Sequence, residues 1–448
     1  MSPESSILQS RAVQSTTPGD PTAADPDSLR IAILVYRGNP HSGGQGVYTR
    51  YLARELLEMG HRPTVFSGQP WPLLDEGVEL VKVPSLDLYR QPDPFRIPWP
   101  NEFHSRIDLG EFLLMCSAAF PEPWSFSHRV RRELAARKGQ FDVIHDNQCL
   151  GSGMLGIMED GWPLLTTLHH PITVDFQLEL DHARTRRKRF NHHRWYSFLK
   201  AQMRVIPKLP RIVTVSTSSE RDIIGQMGAT PEQMHVVHVG VDHTIFKPMP
   251  EVPRVPGRIV CTSSSDMPLK GVIPLLEAIA KLRTEREDLE LVVIGRPKRD
   301  SPVTATIERL GLADCVRFVH GVPTEDIVRL YAECSVAVVP SLYEGFSLPA
   351  IEAMACGVAL VATTGGALPE VVGTSGETGI LVPPNDPSAM AQALGSVLES
   401  EDLRRRLGEA GRARVLKEFT WRVCAEGTVE HYLWTIEHKA RRSTANRI

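Results

Sequence analysis

Short apolar runs alternate with amphipathic stretches along most of this chain. Residues 29–35 read Leu-Arg-Ile-Ala-Ile-Leu-Val, a run that fits a strand buried on both faces. A glycine-rich loop follows, Ser42-Gly43-Gly44-Gln45-Gly46. Val47, Tyr51, Leu52, Leu56 and Leu57 then share one side of a predicted helix that stops near Gly60. Residues 63–66 predict the next strand and complete a βαβ opening. Strand-like runs return at 141–145, 163–168 and 211–215. A second series begins past a proline-flanked linker at 247–256, with strands predicted at 258–261, 289–294, 316–319, 336–339, 359–362 and 379–382. Helical patterns separate them, among them 272–283 and 388–399. Alternation in two blocks predicts an α/β protein of two doubly wound parallel sheets. Between 70 and 138 the period is lost. Prolines and aromatics cluster at 92–100 and 120–126, so loops and short helices are expected there, with part of an acceptor pocket.

Four segments follow from this pattern. Residues 1–28, rich in Ser, Thr, Pro and Asp, predict a disordered tail. Residues 29–247 and 248–418 predict two Rossmann-like domains, and 419–448 a helix that crosses back to the first domain, with Trp421 helping to pack it. The chain has 448 residues, 42% hydrophobic and 23% charged, ordinary values for a globular protein with ample core. A net charge of -3 argues against a basic nucleic-acid binder. No apolar run reaches the ~18 residues of a membrane span, and the tail lacks the apolar stretch of a secretory signal. A cytoplasmic protein is expected. The seven cysteines are scattered without a C-x-x-C pair, which argues against a zinc site or disulfide framework and for buried thiols.

The stretch from Pro340 to Gly357 carries the most chemistry: P-S-L-Y-E-G-F-S-L-P-A-I-E-A-M-A-C-G. A predicted strand runs through a glycine-bearing loop into Pro349, which suits a first helical turn. A helix start leaves free backbone N–H groups and a positive dipole end, both suited to phosphate. Glu344 in the loop and Glu352 about one turn into the helix can take hydroxyls on either side of it. The layout suggests a site for a nucleotide joined to a sugar. The competing reading is a charged cap region with a second, solvated carboxylate. At the opposite end, Gly43 and Gly44 would let backbone N–H groups approach a diphosphate. His169 and His170 follow the predicted strand 163–168, where strand ends line the crevice of an open α/β sheet. Asp146 and Asn147 lie at another strand end.

That motif, with Thr363-Thr-Gly-Gly-Ala-Leu-Pro-Glu-Val371 after it, resembles glycosyltransferase family 4. Further likeness comes from Ser42 to Tyr48, Thr214-Val-Ser216, Val239 to Phe246, Lys270-Gly271 and Val319-His-Gly-Val322, covering about residues 30 to 435. The resemblance implies a GT-B fold and a retaining enzyme that uses a nucleotide-sugar. The first domain would serve the acceptor and the second the donor. Lys270 would neutralise the leaving diphosphate, Glu352 would hold the ribose, and Glu344 would contact the transferred sugar. Gly43, Gly44, Gly345, Phe346, Ser347 and Leu348 would meet the donor through backbone groups. His169, rather than His170, would stand near the reacting sugar. His170, Asp146 and Asn147 are acceptor-side candidates. The family's Gly-Arg pair ahead of the lysine is replaced here by serines and Asp266, so Arg296 is the candidate for a second cation.

The resulting expectation is a glycosyltransferase moving sugar from a UDP-, GDP- or ADP-sugar to a hydroxyl of a glycolipid, polysaccharide precursor or small polyol. The donor is a co-substrate; no cofactor is expected. No acidic pair sits at a strand end, so no metal is expected either. The alternatives are a nucleotide-sugar epimerase and a non-catalytic sugar-nucleotide binder. Residues 184–204 are strongly basic with interleaved aromatics. They fit peripheral contact with the anionic inner face of a membrane, or a helix that packs its aromatics inward and leaves its basic face in solvent.

Overall fold

The computed structural model describes residues 28–39, 44–90, 92–183, 185–263, 267–296 and 300–445. The expected tail at 1–28 lies outside the described residues apart from Ser28. Two all-parallel sheets organise the chain. The first contains β1 (Arg30–Val35), β2 (Arg62–Ser67), β3 (Glu79–Lys82), β4 (Val143–Asn147), β5 (Leu164–Leu168), β6 (Ile212–Thr214) and β7 (Met234–Val236), in the order β3-β2-β1-β4-β5-β6-β7. The second contains β8 (Arg258–Thr262), β9 (Glu290–Ile294), β10 (Val316–Val319), β11 (Val336–Val339), β12 (Leu360–Thr363) and β13 (Ile380–Val382), in the order β10-β9-β8-β11-β12-β13. In each sheet the order reverses beside the first strand, and such a switch point opens a crevice at the strands' C-terminal ends.

Both faces of each sheet are covered, which explains the continuous apolar runs. Along β1, Ala32 and Leu34 enter one core while Ile31, Ile33 and Val35 enter the other. Along β11, Val336 and Val338 face one side and Ala337 and Val339 the other. Register is tight at the centre, where Ile31 lies opposite Pro63 on β2 and Val143 on β4.

The final helix, Trp421–Ala445, packs against the helix Gln45–Glu58 of the first domain. Trp421, Cys424, Ala425 and Tyr432 complete the core above β1. The Trp421 ring stacks on Tyr51 with centroids 5.1 Å apart. The chain therefore passes between domains twice, and the two passages touch. Val241 pairs with Thr420, and its N–H donates to Phe419 O over 2.9 Å. A Cβ on Gly240 would stand 2.2 Å from Trp421 N.

Residues 70–138 are more regular than the sequence indicated. They contain β3, the helix Arg106–Cys116 and the long helix Glu122–Ala136. Strand β3 is an edge strand with no buried residue, so it has no apolar signature. Pro121 and Pro123 read as loop residues, yet they open the Glu122–Ala136 helix, where proline costs no hydrogen bond. Strand β7 was also unforeseen; it is three residues long. Six cysteines are buried, Cys116 is exposed, and all are free thiols. No described helix is long and apolar enough to cross a membrane.

The basic segment divides. Thr185 caps the helix Arg186–Trp195, whose residues 186–191 are exposed. Trp195, Tyr196 and Phe198 turn inward onto Phe120 and Phe176.

Candidate active site

On the C-terminal side, β11 ends at Val339 and a loop carries the chain to the helix Leu348–Ala355. Ser347 is the N-cap residue and a proline sits in the first turn, so free N–H groups begin at Leu348. Lys270 ends a short turn after β8. Gly271 follows it with φ +65°, and a Cβ there would meet Pro340 O at 1.9 Å. Glycine is what lets the lysine turn lie against the acidic loop. Lys270 Nζ donates to both carboxylate oxygens of Glu344, at 2.9 and 3.0 Å. Ser341 Oγ donates to Glu344 Oε1 over 2.6 Å. The Glu344 carboxylate is thus fixed by a cation and a hydroxyl while buried in the cleft wall.

Glu352 contrasts with it. Its carboxylate makes no hydrogen bond or ion pair among the described residues, and burial pushes it up to about 7. The hydroxyls of Ser347 and Ser263 are also buried without a partner. These three polar groups are left without a partner among the described residues.

On the N-terminal side, the helix Gln45–Glu58 starts at Gly44, whose φ of 73° favours glycine. Its Tyr48 ring meets His169 edge-on, with centroids 4.4 Å apart. His169 follows β5, and its Nε2 lies 2.5 Å from Asn147 Oδ1 at the end of β4. Asn147 donates its amide N–H groups to Thr49 Oγ1 and Gln45 O, so its Oδ1 is the acceptor. Nε2 then carries the imidazole proton and Nδ1 is left as an acceptor. Burial pushes His169 down to about 4 and so keeps it neutral. Gln148 steadies the turn by accepting from His169 N and donating to His170 O, both at 2.7 Å. Beneath, buried His145 bridges Tyr432 and Thr167, at 2.6 and 2.7 Å.

The two walls enclose a cleft of about 310 Å³. Ser216 and Ser219 donate to Gly345 O from the first domain, at 2.5 and 3.1 Å. The N–H of Thr217, at the start of the helix Thr217–Met227, donates to Glu370 over 2.9 Å. Tyr343 also donates to Asp222. These bonds tie the acidic loop and the helix Leu368–Val372 directly to the opposite domain.

Gly44, His169, His170, Lys270, Glu344, Gly345, Phe346 and Leu348 all line the cleft. Glu352 lies on the helix and Ser347 caps it, while Asn147 hydrogen-bonds His169. Asp146, expected toward the acceptor, instead accepts the N–H groups of Cys149 and Leu150 at 3.0 Å each, fully buried in a turn. Arg296, expected as the second cation, is exposed after β9 and is absent from the cleft lining. Among the described lining residues Lys270 is the one lysine or arginine. Gly43 and the Ser264–Asp266 stretch lie outside the described residues. Sequence reasoning passed over Tyr48, and also Asp175, whose Oδ1 lies 3.2 Å from His170 Nε2. It gave Trp421 a packing role, yet that ring also borders the cleft. Only Asp175 left a signal, an acid in the first turn of the helix after the histidine pair.

The family described as Glycosyltransferase Family 4 matches residues 42–245, and that described as Glycosyl transferases group 1 matches residues 250–414. The MMP alpha-(1->4)-mannosyltransferase of Mycolicibacterium hassiacum is 50% identical over 405 residues, 90% of this chain and 98% of that protein. The D-inositol 3-phosphate glycosyltransferase of Streptomyces coelicolor is 27% identical, covering 93% of this chain and 92% of that one. Among solved structures, sucrose-phosphate synthase from Thermosynechococcus elongatus superposes with a TM-score of 0.69 at 23% identity, over 92% of this chain and all of that one. The Anabaena protein HepE in complex with UDP and glucose superposes with a TM-score of 0.64 at 19% identity, over 90% and 99%. At these identities the structural likeness is one of fold.

Proposed function

The chain belongs to the glycosyltransferases of family 4 and group 1, and from that membership we propose that it moves an α-mannosyl group from a nucleoside-diphosphate mannose to a sugar hydroxyl, with retention. Its two facing sheets make the GT-B fold. The observation that carries the reading is the meeting of Lys270 with the free N–H groups of the Leu348–Ala355 helix at one cleft. A fixed cation beside a helix start stabilises a departing diphosphate, the charge that grows in the transition state. The half-identical relative, named a mannosyltransferase, supports mannose as the sugar.

Each wall has its task. Glu352 accepts the ribose hydroxyls, which supply the hydrogen bonds its carboxylate lacks. Glu344, braced by Lys270 and Ser341, holds hydroxyls of the mannose. The neutral His169 accepts another through Nδ1, a bond that an imidazolium could not make. The incoming hydroxyl attacks C1 on the face from which the diphosphate leaves; its proton passes to a leaving phosphate oxygen as the new C–O bond forms. An α-linked product from an α-configured donor is retention. Closure of the domains excludes the water that would hydrolyse the donor. The diphosphate charge is met by Lys270 and backbone N–H groups, so chelation by EDTA leaves transfer unchanged.

Thermal shift with GDP, UDP and ADP, followed by NMR of the product formed from the matching mannose donor, tests this. One nucleotide should raise the melting temperature, since a ligand bound only by the folded state stabilises it. The new linkage should be α. A β linkage, or conversion of the donor without acceptor, overturns the proposal.

A further inference from the structure

A second cavity belongs wholly to the first domain. It has a volume of about 490 Å³ and lies between the start of the helix Arg106–Cys116 and one face of the helix Glu122–Ala136. Arg106 comes to it from the first helix, and His128, Arg131 and Arg132 from the second. Asp160 is the one carboxylate among the described lining residues. It accepts from Arg131 Nε over 2.7 Å and from Arg131 Nη2 over 2.8 Å. The same guanidinium lies over Gly156, where a Cβ would stand 2.0 Å from Nη1. Arg131 is thus held in one orientation. Arg106 and Arg132 are exposed, and neither makes a hydrogen bond or ion pair among the described residues. Trp124 and Ile107 give the cavity an apolar side. None of these residues lines the cleft between the domains.

We propose that this cavity binds a small phosphate monoester, its phosphate between Arg106, Arg131 and Arg132 and its organic body against Trp124 and Ile107. Three guanidiniums less one carboxylate leave the lining at +2. A phosphate monoester brings about -1.5 to -2 at pH 7, whereas a carboxylate or sulfate ester brings a single charge. Guanidinium forks also match phosphate oxygens in geometry. Arg106 is the first residue of its helix, where the dipole favours an acid, so its charge stands there at a cost that a bound anion relieves. Ser105 caps that helix by accepting from Asp108 N over 3.3 Å, which leaves the N–H groups of Arg106 and Ile107 free for the same anion. The positive field reaches His128, whose imidazole is held below its ordinary value by burial first and then by Arg131 and Arg132. A concavity of this size takes in a small molecule, and its apolar side gives the ester's body a surface to cover.

The test is isothermal titration of the full chain with phenyl phosphate at fixed ionic strength, with phenyl sulfate and inorganic phosphate as comparators. Phenyl phosphate should bind more tightly than phenyl sulfate, which lacks the second charge, and than inorganic phosphate, which lacks the body. Arg106→Ala and Arg132→Ala, both at exposed positions, should each weaken it by about tenfold, the loss of one charge-assisted contact. The titrations are repeated in Lys270→Ala, so that any occupancy of the cleft is read separately; the arginine effects should be the same there. Equal affinity for the sulfate and the phosphate, or arginine variants that bind like the wild type, overturns the inference. So does a loss confined to Lys270→Ala, which places the anion in the cleft. Binding to phosphatidylglycerol vesicles that both arginine variants lose, without any response to phenyl phosphate, also overturns it and assigns the arginines to a membrane surface.

Discussion

The two walls of the cleft differ in kind. The C-terminal wall carries Lys270 and Glu344 in a fixed ion pair, with Glu352 behind them in want of a partner. The N-terminal wall presents rings and amides: Tyr48, a neutral His169 and its supporting Asn147, with Asp175 set aside on His170. On the proposed reading, one wall would meet charge and the other hydroxyls. Under the proposed transfer, the end for a diphosphate would be distinct from the end for an incoming sugar.

Removing the charge from the C-terminal wall should break this contrast most severely. Lys270→Ala should cut kcat by about 10²–10³-fold, the range for loss of one transition-state donor. It also strands Glu344, so folding is checked by thermal melting. A loss below tenfold in a folded variant would show that the cation for the leaving group lies elsewhere. Glu352→Gln should sharpen the contrast by separating stability from binding. The Glu352 carboxyl titrates at about 7 when folded, against an ordinary 4.5, so the folded state binds the extra proton between those values. Stability from this group is complete below the lower value and is lost as pH rises through the upper one. At pH 8 the glutamine variant escapes that cost and should be more stable by about 1–2 kcal/mol, after allowance for partial exposure. Its KM for the donor should nonetheless rise about tenfold, because charge-assisted bonds to the ribose are gone. Wild-type donor KM should fall as pH rises from 6 to 8, and the variant's should stay flat. A wild-type enzyme that binds donor equally well at both pH values ends the ribose role. The smallest effect is expected from Glu370→Gln, which weakens the tie to the Thr217–Met227 helix. An anion at a helix start contributes about 0.3–1 kcal/mol, so kcat and KM should move together by less than about sixfold.

The two walls were also unequally legible. The C-terminal wall comes from one contiguous stretch, so the strand, loop, proline and two acids were readable together, and structure adds mainly the Glu344–Lys270 pairing. The N-terminal wall is assembled from residues far apart in sequence. Tyr48 meets His169 only because four strands and three α-helices intervene and fold back. The Asp146 carboxylate looked available at a strand end, but the backbone of the next turn uses it, and no side-chain pattern reports that. The aromatic packing of residues 95–126 against Trp195 was obscure for a similar reason. Its prolines and rings resemble a loop in one dimension, and they become a surface only when Trp195 and Phe120 arrive from different segments.

The paired passages at Val241 and Thr420 have a mechanical consequence. Two tethers lying side by side behave like the spine of a book: the covers can swing apart about that line, while twist and sliding strain both strands at once. Gly240 is where the spine is thinnest, because nothing larger than hydrogen fits against Trp421. Under the proposed transfer, donor entry and product exit would be confined to one arc of motion. Closing along that arc would return Gly345 to Ser216, the contact seen here, and present the same two walls to each other.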